Sequence, residues 1–187
     1  MNKLVLRLGL ISMLFVFIMQ VGYGQTTFKL QANPHLEVSG TSSLHDWEMT
    51  SNQASGTIKA IVESGKLKDI QSLEVTMPAE SIKSGKRGMD KKAYEALKTN
   101  KHKSVVFVLK SASKSGNNWI LDGSFQIAGK TKNVKITAVE TSSSGSYGLK
   151  GSYEFKLTDY DMTPPTAVMG TIKTGDEVKI NFDLKFN

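Results

Sequence analysis

Cysteine is absent from this sequence of 187 residues. Its absence excludes disulfides, thiolate zinc sites, thiol nucleophiles and CxxC redox chemistry, and it also excludes a lipid anchor on an acylated cysteine. Internal repeats and low-complexity linkers are lacking too. Hydrophobic residues nevertheless make up 39% of the chain, which is enough to build a core. At about 100–200 residues per domain, the length predicts a single globular domain.

Histidine occurs only three times, as His35, His45 and His102. None of them pairs with another histidine or a carboxylate in a recognised metal-binding motif, and His102 lies between two lysines, which would repel a cation. A phosphate-binding glycine loop is also missing, because Gly85-Lys86-Arg87-Gly88 lacks the required spacing. We therefore expect no metal ion and no cofactor.

Acidic residues are in the minority: the chain has 17 of them and 24 lysines and arginines, which gives a formal net charge of +7. The lysines are scattered and often alternate with apolar residues, which is typical of a solvated face. A long basic run with interleaved aromatic residues is absent, so nucleic acid is not an expected partner.

The N-terminus has the three parts of a secretory signal peptide. Two basic residues precede the apolar run Leu8–Met19, and Gly22 and Gly24 occupy the small-residue positions before a cleavage site. An apolar core of about 12 residues is short for a membrane span of about 20, so cleavage is favoured over an uncleaved anchor. We expect a signal peptide over residues 1–24 and a mature domain over residues 25–187, periplasmic or otherwise exported, without stable membrane insertion.

Alternation of apolar and polar residues predicts β-strands over most of the mature domain. In the clearest strand, the last one, the apolar members of the alternation are Val178, Ile180, Phe182, Leu184 and Phe186. Weaker signals of the same kind lie at Leu36–Ser39, Thr57–Val62, Leu73–Met77, Val105–Leu109, Trp119–Gln126, Val134–Ala138 and Leu149–Leu157.

Two of these regions predict more than a strand. Val105–Leu109 is apolar at odd and at even positions, which point to opposite faces of a strand. We therefore expect both faces of that strand to be covered. Thr174-Gly175-Asp176 has the residues of a turn before the last strand, and Val168–Lys173 can pair back on that strand as a hairpin.

One helix is predicted at about Gly88–Thr99. Asp90 falls in its first turn, where a negative charge suits the helix dipole, and Asn100 can take the left-handed conformation that ends a helix. The apolar residues that recur on one helical face are Met89, Ala93, Ala96 and Leu97.

These elements amount to about eight or nine strands and one inserted helix. Two all-β architectures fit them, a sandwich and a closed barrel. A barrel of about eight strands can enclose one small ligand, and its closure removes exposed sheet edges.

The most conspicuous cluster of polar residues is Ser43-Leu44-His45-Asp46-Trp47. A catalytic interpretation makes His45 and Asp46 an acid–base pair with Ser43 as the nucleophile. On a strand, however, neighbours point to opposite faces, so His45 and Asp46 would not touch, and Ser43 would lie about 7 Å from His45. We therefore expect no catalytic residue here. His45 and Trp47 are expected to point inward, where they pack or line a pocket.

Large side chains on several strands are suited to line a barrel that holds an apolar ligand, although composition does not show whether the interior is hollow. Paired prolines predict that Met162–Met169 is a loop. We expect this loop at one barrel mouth, where its methionines either contact the ligand or plug the barrel. The candidate ligand-binding residues are His45, Trp47, Phe107, Trp119, Phe125, Tyr153, Phe155, Phe182, Met162 and Met169.

The run Gly123–Val134 resembles the hairpin signature of the YceI-like family, in which a strand, a glycine and a Thr-basic pair lead into a second strand. The resemblance extends from about Phe28 to Phe186, with Lys103 where many members carry proline and Asp161 where many carry glycine. Its other elements are the helix Met89–Leu97, the strand entry Lys101–Phe107, Thr158-Asp159-Tyr160, the final-strand start Gly175–Val178, and Ser43–Trp47, which is similar to the Ser-x-His-Asp-Trp segment of exported members.

The resemblance implies an exported, lipocalin-like antiparallel barrel of about eight strands around an elongated apolar pocket, of the polyisoprenoid-binding type. On this basis we expect a binding protein, not an enzyme. Its expected ligand is a long-chain isoprenoid or a similar lipid, such as a quinone or a polyprenyl phosphate. Two alternatives stay open: a hydrolase that uses Ser43–Trp47, and an envelope stress or scaffold protein without a ligand. The oligomeric state is open as well.

Overall fold

The computed structural model describes residues 24–143 and 145–187. The predicted signal peptide lies outside the described residues except for Gly24, so its cleavage stays a prediction. In the described part of the chain, no helix combines the length and the apolar character needed to span a bilayer.

The described residues form eleven β-strands and one α-helix. The helix, α1 (Arg87–Leu97), lies between the fifth and sixth strands. The strands are β1 (Gln25–Lys29), β2 (His35–Ser42), β3 (Trp47–Ser51), β4 (Ser55–Glu63), β5 (Lys66–Pro78), β6 (Ser104–Ser115), β7 (Asn118–Ile127), β8 (Lys130–Glu140), β9 (Tyr147–Lys156), β10 (Thr166–Ala167) and β11 (Ile172–Phe186).

The strands form one antiparallel sheet in the order β1-β4-β5-β6-β7-β8-β9-β11-β2-β3, and β10 adds to β11 outside this sequence. The sheet curls until its ends meet. Leu30 bridges Phe186, and the N–H of Lys29 donates to the carbonyl of Asn187 at 2.9 Å. At the other edge Thr50 of β3 bridges Lys83, just beyond β5. The predicted barrel is therefore confirmed over the sandwich.

More strands appear than the sequence predicts because two of the eight barrel positions are interrupted. β1 and β2 follow one another along the same side of β11 and are separated by a kink at Asn33-Pro34, where Asn33 has a φ of 58°. β3 and β4 likewise occupy one position in succession. The remaining additional strand is the two-residue β10.

β11 confirms the predicted alternation, because Val178, Leu184 and Phe186 are buried while Lys179 and Lys185 are exposed. The prediction of a turn at Thr174-Gly175-Asp176, immediately before this strand, is wrong. Residues 174–176 lie inside β11 as an irregularity in its pairing with β2.

The prediction that Val168–Lys173 is one arm of a hairpin is also wrong. A hairpin does form in this region, but residues 168–171 are its turn. Thr166 pairs with Lys173 and Ala167 with Ile172, so β10 and the start of β11 form its two arms. This places the chain reversal a few residues earlier than the glycine at 175 suggests.

The prediction that both faces of Val105–Leu109 are covered is wrong. Phe107 and Leu109 point into the core, but Val108 is 40% exposed. The outer face stays open because the inserted helix covers one end of the barrel and not its wall: the apolar face of α1 lines the barrel interior.

α1 begins and ends within two residues of its predicted limits. Asp90 sits in its first turn, as expected, and accepts hydrogen bonds from the N–H and the hydroxyl of Ser84, both at 2.7 Å. The left-handed residue at its C-terminus is Lys98 (φ 53°), not Asn100. The N–H of Lys98 donates to the carbonyl of Glu95.

Candidate ligand-binding cavity

The barrel interior is hollow. A cavity of about 400 Å³ runs inside it, within the range of about 300–1,000 Å³ that is usual for small-molecule sites. Aliphatic residues from opposite walls surround its inner part, and they are Leu73, Leu121, Ile136, Leu149, Val178 and Leu184. The cavity is therefore shaped for an apolar group.

One end of the cavity is closed by a buried polar cluster around Glu140. Its Oε2 accepts hydrogen bonds from Lys114 Nζ at 2.7 Å and from Trp119 Nε1 at 3.2 Å. Its Oε1 accepts from the N–H of Leu67 at 2.9 Å and from Ser142 at 3.0 Å. We call these five residues the closed end.

The closed end keeps its carboxylate ionised. Burial raises the pKa of Glu140, but the hydrogen bonds from Lys114, Leu67, Trp119 and Ser142 outweigh it and leave the pKa below its ordinary value. Trp119 is only 1% exposed, and the ammonium group of Lys114 lies 5.0 Å from its ring centre. Glu140 and Trp119 are thus buried and hydrogen-bonded at this end, while Lys114 reaches them from the surface.

The opposite end is the mouth of the cavity. Three elements surround it: α1, the β2–β3 loop (residues 43–46) and the β10–β11 hairpin (residues 166–173). Most of the polar side chains on the cavity surface lie here, and they are Ser42, His45, Lys86, Lys92, Thr166 and Thr174. An amphiphile would therefore find apolar walls inside and polar partners at the mouth.

Aromatic rings line the middle of one wall. Phe125 lies 6.1 Å from Phe107 and 5.7 Å from Tyr153 between ring centres, and Tyr153 stacks on Phe155. Tyr160 packs edge-on against Phe155 from behind the wall and is fully buried.

Tyr160 hydrogen-bonds to Tyr153, with 3.4 Å between the two hydroxyl oxygens. Burial, followed by this bond, raises the pKa of Tyr160 well above its ordinary value, so its hydroxyl is neutral. The hydroxyls of these two tyrosines are thus partners of each other.

Eight of the ten candidate ligand-binding residues lie on the cavity surface. They are His45, Trp47, Phe107, Phe125, Tyr153, Phe155, Met162 and Phe182. Trp119 does not line the cavity but belongs to the closed end, and Met169 is fully exposed at the hairpin turn. Whether the eight residues contact a ligand stays a prediction.

The Ser43–Trp47 segment is not a continuous strand: residues 43–46 form a loop, because Ser42 closes a turn, and Trp47 begins β3. The hydroxyl of Ser42 accepts from the N–H of His45 at 3.2 Å and donates to its carbonyl at 2.6 Å. His45 is consequently exposed at the mouth and not packed in the core, but it still borders the cavity. Trp47 is partly buried, and Gly40 leaves room for it, since a Cβ there would lie 2.5 Å from its ring.

The polar side chains of this loop bond to backbone and not to each other. Ser43 Oγ accepts from the N–H of Lys173 at 3.0 Å, and His45 Nδ1 donates to the carbonyl of Asp46 at 2.6 Å. Across the residues that the structure describes, no hydrogen bond joins the side chains of Ser43, His45 and Asp46 to one another. In the same residues, no group of three or more histidine or carboxylate side chains is arranged to hold a metal ion.

Sequence reasoning missed the helix as part of the site, along with the aliphatic inner wall. The signal was present in both cases, because the apolar face of α1 and the alternation of the strands identify inward residues. Choosing aromatic side chains discarded the aliphatic ones, although both kinds point inward. The helical residues that line the cavity are Met89, Ala93, Ala96 and Leu97.

The sequence matches the family model of the YceI-like domain over residues 26–186. The chain belongs to the YceI-like family. No curated protein matches it closely enough to count as a relative.

Solved structures share the YceI-like fold at low sequence identity. BcnA of Burkholderia cenocepacia superposes with a TM-score of 0.65 at 18% identity and covers 80% of this chain and 95% of its own. The YCEI protein of Campylobacter jejuni gives 0.61 at 16%, covering 73% and 82%. A polyisoprenoid binding domain from Saccharophagus degradans, implicated in plant cell wall breakdown, gives 0.65 at 11%, covering 86% and 97%.

The two departures from the family pattern sit in tolerant positions. Asp161 adopts a φ of 53°, in the left-handed region that glycine favours and aspartate tolerates. Its carboxylate pairs with Lys130 at 2.8 Å. Lys103 precedes β6, and its carbonyl accepts a hydrogen bond from the N–H of Ala79 at 2.8 Å.

Proposed function

We propose that the protein is an exported carrier that holds the tail of a long-chain isoprenoid or a similar amphiphile inside the barrel. One observation carries the proposal: the barrel encloses an apolar cavity that is closed at one end and bordered by polar groups at the other. The ligand class includes quinones and polyprenyl phosphates, whose tails are apolar and whose head groups are polar.

The inner cavity favours a hydrocarbon tail over any polar group. Burying apolar surface contributes about 25 cal/mol per Å², and the aliphatic inner wall offers that surface. The hydroxyls of Tyr153 and Tyr160, on the aromatic wall and behind it, are within hydrogen-bonding distance of each other. A polar group among the aliphatic side chains of the inner part would lose its water without gaining a partner there.

The head group would stay at the mouth, where Lys86 and Lys92 border the cavity. Their ammonium groups suit an anionic or strongly polar head. The Saccharophagus degradans protein is a polyisoprenoid binding domain, and this supports the ligand class. At 11% identity, the likeness supports the fold, and the case for a lipid rests on the cavity.

The same geometry favours a carrier over a hydrolase. Catalysis by Ser43 needs a base that takes its proton, but His45 is hydrogen-bonded to its own neighbouring backbone and faces solvent. We propose that this loop borders the mouth and performs no chemistry.

Native mass spectrometry of protein extracted gently from the cell envelope tests the proposal. We expect a bound mass of isoprenoid size, or uptake of undecaprenyl phosphate or a long-tailed ubiquinone by the emptied protein. Protein that is always empty, and that takes up neither probe, contradicts the proposal.

A matched pair of variants on α1 locates the binding site. Ala93→Trp fills the mouth of the cavity and should reduce uptake by about tenfold or more, given the space that a large side chain occupies. Lys91→Trp adds the same ring on an exposed position of the same helix and should leave uptake unchanged. Melting temperatures measured in parallel separate blockage from unfolding, and Ala96→Phe provides a second blocking variant.

A further inference from the structure

Exposed apolar side chains are concentrated at the mouth of the barrel. In the described residues, the large hydrophobic side chains that are exposed are Leu44, Val108, Val139, Val168 and Met169. Val108 and Val139 stand on separate strands of the barrel wall and are about half exposed. Leu44, Val168 and Met169 are 65%, 67% and fully exposed, and all three lie on loops that border the cavity.

Those two loops are joined into one surface. The N–H of Ser43 donates to the carbonyl of Lys173 at 2.9 Å, and the N–H of Lys173 donates to Ser43 Oγ at 3.0 Å. Leu44 therefore sits beside the β10–β11 hairpin. We call Leu44, Val168 and Met169 the apolar tip.

Folding does not account for the residue types in the hairpin turn. Val168 (φ 50°), Met169 (φ 54°) and Gly170 (φ 86°) are all left-handed. Asparagine and glycine suit such positions, whereas a β-branched side chain rarely adopts them. Valine and methionine here are unfavourable for the backbone and for exposure to water, which points to a contact outside the folded chain.

Basic side chains border the same mouth as the apolar tip. Lys86 and Lys92 line the mouth, and residues 83–98 contain six basic and two acidic side chains, a net charge of +4. Lys173 is exposed in the hairpin. Of the acidic groups at this end, Asp90 accepts a hydrogen bond from Ser84 and Glu95 pairs with Lys92. Asp46 and Glu48 are exposed acids in and directly after the β2–β3 loop.

We propose that the mouth docks on the surface of an anionic lipid bilayer. The apolar tip enters the interface between head groups and acyl chains, and the basic side chains face the anionic head groups. An exposed apolar tip with basic neighbours is the combination that binds such surfaces reversibly. Docking turns the cavity opening toward the membrane, so that a lipid tail passes into the barrel without crossing water.

This inference goes beyond the proposed carrier function, since a carrier can also receive its ligand from another protein. It does not depend on ligand binding, because the apolar tip lies on the outer surface.

Flotation of the mature protein with vesicles tests the docking surface. We expect it to float with vesicles of mixed phosphatidylcholine and phosphatidylglycerol, not with phosphatidylcholine alone, and to be released as salt rises. The double variant Val168→Ser/Met169→Ser should bind about tenfold more weakly, since each of its substitutions removes apolar burial from the interface. The control Val108→Ser/Val139→Ser removes two exposed apolar side chains from the wall and should float like the wild type.

Three results would overturn docking: no flotation of the wild type, equal flotation of the tip variant, or equal loss in the wall control. A wild type that is dimeric by ultracentrifugation, with a monomeric tip variant and no flotation, would assign the tip to a second copy of the chain. Uptake of undecaprenyl phosphate from detergent micelles is measured in parallel. Intact uptake without flotation rejects only the docking, and flotation without uptake rejects only the carrier.

Discussion

The two ends of this barrel use the same residue types, buried at one end and exposed or partly exposed at the other. Each end contains a lysine, a glutamate and a tryptophan. At the closed end, Glu140 has 6% of its side chain exposed and pairs with Lys114, while Trp119 is buried beside them. At the mouth, Glu95 is about half exposed where it pairs with Lys92.

The difference shows where the fold stores stability and where it leaves surface available. Buried polar groups that are fully hydrogen-bonded are costly to disturb, because removing one partner leaves the others without water. Exposed pairs contribute little, since water already solvates both charges. The closed end can therefore stabilise the barrel, while the mouth stays free to meet a ligand or a surface.

Replacing the two tryptophans should give the largest contrast. Trp119→Ala should reduce the free energy of unfolding by about 3–5 kcal/mol, because it empties a buried site and removes a donor to Glu140. Trp47→Ala, at a partly exposed position, should cost clearly less. Urea denaturation of both variants measures this, and equal losses would show that the two ends do not differ in stability.

Replacing the two glutamates should give a smaller contrast of the same sign. Glu140→Leu should cost about 3 kcal/mol, because the ammonium group of Lys114 and two buried N–H groups lose their acceptor. Glu95→Leu should change the free energy of unfolding by less than about 1 kcal/mol, as for an exposed ion pair. Similar losses in thermal or urea unfolding would contradict a special role for the closed end.

Acid should weaken the closed end selectively. The pKa of Glu140 is below its ordinary value of 4.5, so the folded state binds this proton less readily than the unfolded state. The stability that the ionised Glu140 carboxylate contributes is thus present above about pH 4.5. It is lost as the pH falls through the lower pKa of the folded state. The difference in unfolding free energy between wild type and Glu140→Gln should shrink from pH 7 to pH 3, and a constant difference would contradict this assignment.

The smallest expected effect is a gain at the mouth. Val168→Asn should stabilise the protein by about 1 kcal/mol, since asparagine tolerates the left-handed backbone that valine resists. Val108→Asn, on the barrel wall, should give no such gain. If Val168→Asn is more stable and also floats less with anionic vesicles, valine at this turn lowers stability but favours contact with lipid. A Val168→Asn protein that is less stable than the wild type would contradict this prediction.

Local pattern was enough to predict most of the architecture. The strict alternation in β11 and the helical spacing of α1 identify which side chains face inward, because period 2 and period 3.6 follow directly from strand and helix geometry. The same pattern placed most of the candidate residues on the cavity wall. It did not separate Trp119 from them, since a ring that seals one end has the same inward parity as a ring that lines the space.

The amino-acid sequence by itself determined the strands, the helix and the inward faces, because these depend on neighbours within a few residues. Only the tertiary structure decided that the sheet closes through Leu30 and Phe186, that Glu140 gathers donors from Leu67, Lys114 and Trp119, and that the interior stays hollow. Each of these results joins positions far apart in the chain. Whether opposing walls touch or leave a cavity depends on the curvature of the whole sheet, which no local pattern encodes.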